Sequence, residues 1–296
     1  MTDAAPILVP NLAARRSKSI LRAVIRTVLF GIIIVWSAFP IAYIVLSSFK
    51  QQKEIFKYPP DLIFSPTLEH YIALATKWNG FFPTMANSLI VAVGATALAC
   101  VVSVLSGFVY SRYSNRFLAG SVLYLIAIRL LPPIVVPLPL FPVVDALKLS
   151  DTHIVLIVLY ATFWVSLCTM IMKTFIDKIP RTLDEAAVVD GATTAQTLVR
   201  VILPLALQGL AACAIFVFVF SWNEYLFALI FTTQNAKTAP LIISEVMYAV
   251  SGTNWGVLFA GVTVQLLPVT LLVMMAQRFL IAGLTAVLDL DLARHA

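Results

Sequence analysis

Charge is what this sequence is short of. Asp, Glu, Lys and Arg make up 11% of 296 residues, while 61% are hydrophobic. A soluble domain carries about 25% charged residues, so a water-soluble globule of this length is excluded. Cysteine is scarce as well: Cys100, Cys168 and Cys213 each sit inside an apolar run. There a free thiol behaves as a small hydrophobe, and the spacing fits neither a disulfide scaffold nor a metal site. The three histidines, His70, His153 and His295, are isolated, and no His-Glu-x-x-His or Ser-His-Asp pattern brings acid, base or metal ligands together. Nothing matches G-x-x-x-x-G-K-[ST], so any nucleotide this protein uses is bound by another chain. No repeat of 20–50 residues is present. With 19 Phe and 5 Trp, disorder is excluded too.

What is present is a series of long uncharged runs. They cover Thr27 to Phe49, Trp78 to Ser111, Phe117 to Val144 (interrupted once by Arg129), Ile154 to Met172, Val201 to Asn223 and Val246 to Gln277. A helix needs about 20 apolar residues to cross about 30 Å of hydrocarbon, whereas a closed barrel shows short alternating segments. The expectation is an all-α membrane protein of about six transmembrane helices, embedded in a lipid bilayer.

Six spans put both termini on one side. That side receives Arg15, Arg16, Lys18, Arg22, Arg26, Arg112, Arg116, Lys173, Lys178, Arg181, Arg200, Arg278 and Arg294. The opposite side receives Lys50, Lys53, Lys57, Lys77, Lys148 and Lys237. The bias places both termini in the cytoplasm. The net charge of +6 therefore reads as topology, not as a nucleic-acid surface, since no basic stripe is interleaved with aromatics. The apolar run after Arg26 is too long for a cleaved signal, so the first span is retained. The expected organisation is a cytoplasmic tail over 1–26, a first span over 27–49 and an outer segment over 50–82. A membrane core follows over 83–285, then a cytoplasmic tail over 286–296. In the outer segment, Leu68 to Leu74 has helical spacing, and the segment is expected to cap the bundle or meet an external partner.

The informative stretch is Pro180 to Pro204, between the fourth and fifth spans. Thr182 with Glu185 forms a capping-box pair that opens a helix, and Gly191 offers the left-handed cap that closes it. Thr193 with Gln196 offers a second capping box, and Pro204 marks the elbow where the fifth span begins. The spacing predicts helix, glycine, helix. Ala186 and Ala187 leave the first helix without bulk, so another backbone can approach. Asp184, Glu185 and Asp190 supply negative charge for a basic partner.

Glu185-Ala186-Ala187, then Asp190-Gly191-Ala192, then Leu203-Pro204 thirteen residues after the glycine resembles the EAA loop of ABC importer permeases. The fuller pattern is similar to the carbohydrate-uptake, maltose-type branch. Asn87-Ser88, Leu149-Ser-Asp151-Thr152, Trp222-Asn223-Glu224, Arg278-Phe279 and Gly283-Leu284-Thr285 agree with that branch, so the resemblance covers roughly residues 80 to 285. Two positions depart from it: Leu198 stands where the family often has Phe, and Gln208 where it often has proline. The tail Val287-Leu-Asp-Leu-Asp-Leu also differs from the small, basic ending common there.

The resemblance implies a type I ABC importer transmembrane domain and a permease, not an enzyme. It would form half of a pathway for a sugar or polyol. Its implied partners are a second permease, an ATPase dimer and a periplasmic or extracellular solute-binding protein. ATP and Mg belong to the ATPase; this chain binds no cofactor and no metal. In the family the loop sits in a cleft of the ATPase. Glu185 would then pair with a basic residue there, Ala186 and Ala187 would permit close packing, and Gly191 would set the angle between the helices. The rival role for Glu185 is to cap its own helix, worth about 0.5–2 kcal/mol. A permease for a non-carbohydrate solute, or a secondary transporter, is the alternative reading.

Inside the spans, Arg129 costs about 2.5–3.5 kcal/mol on the insertion scale, so it must face a cavity or a partner. It is either a pathway residue or a structural partner for backbone freed by Pro132 and Pro133. Trp222, Asn223 and Glu224 combine a flat apolar face with polar groups suited to a sugar ring; otherwise they are an interfacial anchor with Tyr225. The run Pro132, Pro133, Pro137, Pro139, Pro142 breaks or kinks the third span. Ala95, Ala99, Ser103 and Gly107 form a narrow small-residue stripe that lets another helix come close. Gln265, near Pro268, is a further pathway candidate.

Overall fold

The computed structural model describes residues 12–61, 63–249 and 252–294, with side chains described between 23 and 276. Of the expected tail over 1–26, residues 1–11 lie outside them, and the helix that carries the first span already begins at Leu12. Every regular element among the described residues is helical. The chain opens with α1 (Leu12–Ser47), followed by a 3-10 turn at Gln52–Glu54 and α2 (Glu69–Thr76). Next come α3 (Phe81–Arg112), α4 (Arg116–Ile128) and α5 (Pro137–Ala146). After α6 (His153–Asp177) lie α7 (Thr182–Val189) and α8 (Thr194–Thr197), then a π turn at Leu198–Ile202 and α9 (Leu203–Leu205). The remainder is α10 (Leu207–Trp222), α11 (Leu226–Phe231), α12 (Ala239–Met247) and α13 (Trp255–Arg294).

Among the described residues, four helices are long and apolar enough to cross a membrane: Ala23–Ser47 of α1, α3, α6, and Trp255–Ala276 of α13. Two bent pairs bring the count to six if each is one span: α4 with the segment through α5, bent by 94°, and Thr194–Leu205 with α10, bent by 79°. The first break falls on Pro132 and Pro133, where the missing N–H groups and the restricted preceding residue end the helix as expected. From residue 23 to 42 the apolar surface of α1 faces outward, as a bilayer requires of side chains that water would penalise.

The densest packing is α3 against α6, and α10 closes on both. The small-residue stripe is the reason: Ala95, Ala99 and Ser103 are fully buried. At Gly107 an added Cβ would lie 2.7 Å from Met172 Cβ and 3.0 Å from the Lys173 backbone nitrogen. Helices in lipid gain stability from such close backbone approach. Around this seam Ala161, Cys168, Met172, Ile176, Leu198, Ile202 and Cys213 form a core at the end of the bundle that carries the 178–205 loop.

At the far end, the segment after α1 folds down as a cap. Lys50 Nζ donates to the Asp61 carbonyl (2.8 Å), and His70 Nε2 is 2.7 Å from the Lys50 carbonyl. The Gly256 N–H donates to Gln52 Oε1 (2.9 Å). α2 lies where the helical spacing predicts and packs on α13. At the other terminus the helix runs unbroken to Arg294, so no change of structure occurs at residue 286. The reason is local: beyond Gly283 the sequence is rich in Leu and Ala and free of glycine and proline, which favours continued helix.

Candidate functional site

The 180–205 loop projects from the ends of α3 and α6. α7 begins at Thr182 with Arg181 as its N-cap and no side-chain cap bond, so the expected Thr182–Glu185 capping box is not formed. Arg181 is already helical in backbone, with φ −65° and ψ −21°. Thr182 therefore sits inside the first turn, where its hydroxyl cannot reach the orphan N–H groups ahead of it. The carboxylate of Glu185 consequently has no hydrogen-bond or ion-pair partner among the described residues, and its helix-capping role falls away.

The end of α7 follows the sequence closely. Gly191 has φ +82°, its N–H donates to the Val188 carbonyl (3.0 Å), and Ala192 N–H donates to the Ala187 carbonyl (2.9 Å). This is the paired-bond glycine stop that satisfies the last carbonyls of a helix. The second capping box is present: Gln196 N–H donates to Thr193 Oγ1 (3.3 Å) and Thr193 N–H to Gln196 Oε1 (2.8 Å). Helix then continues through the π turn to Leu205, longer than expected. The elbow lies at Ala206, two residues beyond Pro204. Leu203 and Pro204 form the last turn before it, and Leu198 is buried in the core.

The two alanines divide their roles. Ala187 is buried, while Ala186 is exposed. The outward face of α7 carries Glu185, Ala186, Val188 (64% exposed) and Val189 (86% exposed), with Asp190 at its end. Two exposed valines thus stand beside a carboxylate without a partner among the described residues.

The inner edge of α7 is fastened to the bundle. Arg112, the last residue of α3, makes an ion pair with Asp184. Its Nη1 and Nη2 donate to the carbonyls of Ile176 (3.3 Å) and Ile179 (3.1 Å) at the end of α6. Arg181 Nη2 donates to the Ser111 carbonyl (3.1 Å).

Arg129 lies at the broken end of α4. Its guanidinium sits over Trp164 (5.2 Å) and Phe163 (5.8 Å), with one long hydrogen bond to Ser166 Oγ (3.5 Å). Ion pairing with a carboxylate is absent among the described residues. A cavity of about 100 Å³ is lined by Arg129 with Ile128, Val136, Leu140, Leu159, Thr162, Phe163 and Phe227. Aromatic faces in place of a counter-ion stabilise the cation in low dielectric, and backbone freed by the prolines is not its partner.

Trp222, Asn223, Glu224 and Gln265 do not line that cavity. Trp222 is 1% exposed, stacked on Phe218, and donates its indole N–H to the Gln265 carbonyl (3.2 Å). It is therefore core, not an interfacial anchor; the outward apolar ring an anchor needs is buried between α10 and α13. Asn223 bonds back to its own helix at Val219 (2.7 Å), and Glu224 accepts the N–H groups of Phe227 (2.9 Å) and Ala228 (3.3 Å) to start α11.

A set of far-end residues has a role that sequence reading missed. The Asp151 carboxylate accepts the backbone N–H groups of Thr233, Gln234, Asn235 and Ala236 at 2.9–3.2 Å, plus the Thr233 hydroxyl and the Asn235 amide. Asn87 Nδ2 donates to the carbonyls of Asn235 (2.8 Å) and Lys237 (2.9 Å), His153 Nε2 is 2.8 Å from Asn87 Oδ1, and Ser88 Oγ accepts Ala239 N–H (2.8 Å). Partial burial opposes the charge on Asp151, but the four amide donors outweigh it and hold the carboxyl well below the usual range. Asp151 has left-handed backbone, φ +58°, uncommon outside glycine; its amide partners lie 82 to 85 residues away, so nothing in the local sequence marks them.

Residues 99–285 match the family described as "Binding-protein-dependent transport system inner membrane component". The sulfoquinovosyl glycerol transport system permease SmoH of Agrobacterium fabrum is 31% identical over 265 residues, covering 88% of this chain and 92% of that protein. The trehalose/maltose transport system permease MalG of Thermococcus litoralis is 29% identical over 252 residues, covering 84% and 90%. A crystal structure of a bacterial ABC transporter involved in import of the acidic polysaccharide alginate superposes with a TM-score of 0.73 at 19% identity, over 93% of this chain and 99% of that one.

Proposed function

We propose, from the premise that this chain belongs to the binding-protein-dependent transport system inner membrane component family and is a permease subunit of an ABC importer, that it forms half of a translocation pathway for a sugar or polyol. It pairs with a second permease and is driven by a separate ATPase dimer, which holds ATP and Mg. A solute-binding protein delivers the cargo at the far end, and both termini are cytoplasmic. The carbohydrate class is supported by relatives named for sulfoquinovosyl glycerol and for trehalose and maltose, which align over most of their length.

The observation that carries the coupling reading is the outward face of α7. Glu185 without a partner, small Ala186, and exposed Val188 and Val189 form a ready-made surface for a basic-lined cleft. Asp190 adds charge, buried Ala187 adds no bulk, and Gly191 fixes the bend. Leu203 and Pro204 then deliver the motion to α10 at the Ala206 elbow. Alternating access needs such a lever, because nucleotide shifts only conformations that it contacts differently. Arg129 is the pathway candidate that lines a cavity; Trp222 packs on Phe218 and bonds to the Gln265 carbonyl, while Asn223 and Glu224 bond within their own segment.

Uptake tests the reading. Cells carrying the full importer are expected to accumulate the sugar retained by their binding protein. Replacing the phosphate-binding lysine of the ATPase is expected to reduce uptake to background. Uptake that survives this change and collapses instead with the ion gradient would assign the chain to secondary transport.

A further inference from the structure

We propose that Arg112 is a positioning residue for coupling: with Asp184 it locks α7 to the ends of α3 and α6, so that the docking helix and α3 move as one body. The inference rests on the reading that α7 meets the ATPase.

Two routes lead from α7 into the bundle. One is covalent, through Gly191, α8 and the elbow at Ala206, and it reaches α10. The other runs through side chains at the ends of α3 and α6, beside the covalent link at Pro180. Arg112 ends α3, its side chain is 8% exposed, and its guanidinium ties two further elements to that end: α7 through Asp184, and α6 through the Ile176 carbonyl and the Ile179 carbonyl just beyond it. Arg181 doubles the attachment from the other direction by donating to the Ser111 carbonyl. The forked guanidinium suits this, because its donors are fixed in a plane and can hold several acceptors in set directions; an ammonium cannot.

A displacement of α7 by a partner on its outer face would, without the pair, be absorbed by eight residues hinged at Pro180 and Gly191. With the pair in place the displacement is passed to α3, which packs along the whole of α6. Coupling through a packed element with two arrangements is a physical route between distant sites.

Distance measurement by pulsed electron resonance in the assembled importer tests this. Spin labels are placed at exposed Thr182 on α7 and exposed Val101 on α3. Nucleotide-free and vanadate-trapped states are compared, with Asp184→Asn and Arg112→Lys as variants. In the otherwise unaltered chain the Thr182–Val101 distance is expected to stay the same in both states. In Asp184→Asn, which leaves Arg112 its two carbonyl acceptors, trapping is expected to shift it by roughly 2–5 Å, the range of helix displacements in such switches. ATP hydrolysis by the complex should persist. Arg112→Lys should behave alike, and if it fails to assemble, Asp184→Asn decides.

A constant distance in Asp184→Asn, or a state-dependent change already present without substitution, overturns the proposal. A purely structural role would lower yield and leave the distance indifferent to nucleotide. Failure of the underlying reading shows separately, as an unaltered complex in which the ATPase neither co-purifies nor traps nucleotide.

Discussion

Gly191→Val is expected to abolish transport while the subunit still reaches the membrane and assembles. The position has φ +82°, and a Cβ added there would meet no atom within 4 Å, so the penalty is conformational and owes nothing to crowding. A β-branched residue in this region costs about 1–3 kcal/mol. The strain is relieved by giving up the Gly191–Val188 and Ala192–Ala187 bonds that end α7, which changes the angle between α7 and α8. Since this bend is local and solvent-facing, the bundle is untouched. Ala should fall between Val and wild type, and Asn, which tolerates left-handed backbone, should stay near wild type. Uptake normalised to complex recovered from membranes reads the series. Normal uptake by the Val variant would mean the bend is not a lever.

The second large effect is expected at the far end. Asp151→Asn should free the 232–238 loop, because one carboxylate organises four consecutive backbone amides there. Bonds to a charged acceptor are worth more than neutral ones, and after screening at this part-exposed site their loss is on the order of 2 kcal/mol, or roughly 30-fold in local opening. Hydrogen exchange at Thr233 to Ala236 is the measurement. The pH dependence has a fixed sign. A carboxyl whose folded value is depressed stabilises the fold fully above its ordinary range near about 4, and the contribution drains away as pH falls below it. Corrected for intrinsic exchange rates, the wild-type and variant loops should differ at pH 7 and converge in acid. A difference unchanged by acid would mean that charge is not what holds the loop.

These two sites also show what a sequence makes legible. Gly191, the Thr193–Gln196 box and the small stripe of α3 are written in patterns of three or four residues, where backbone geometry converts spacing into contact. The plan of four to six spans is legible for the same reason, since hydrocarbon thickness fixes run length. The Thr182–Glu185 pair has the same local pattern, yet the helix starts one residue early and the box does not form. What stayed hidden depends on chain distance. Arg112 meets Asp184 from 72 residues away and Asp151 meets its loop from 82 to 85 residues away. A polar residue in a loop carries no mark of such a partner. Trp222 was misplaced for a related reason: a tryptophan near a span end is apolar enough for either the interface or the core, and packing between α10 and α13 decides it.

The central claim is that the outer face of α7 touches a separate ATPase. A photo-crosslinking amino acid at Val189, 86% exposed, tests it in the intact importer within native membranes. The account predicts one major adduct, between this chain and the ATPase subunit, whose yield changes on vanadate trapping. Contradiction would come from no adduct with the ATPase in any nucleotide state, together with labelling of Val189→Cys by an impermeant maleimide applied outside the cell.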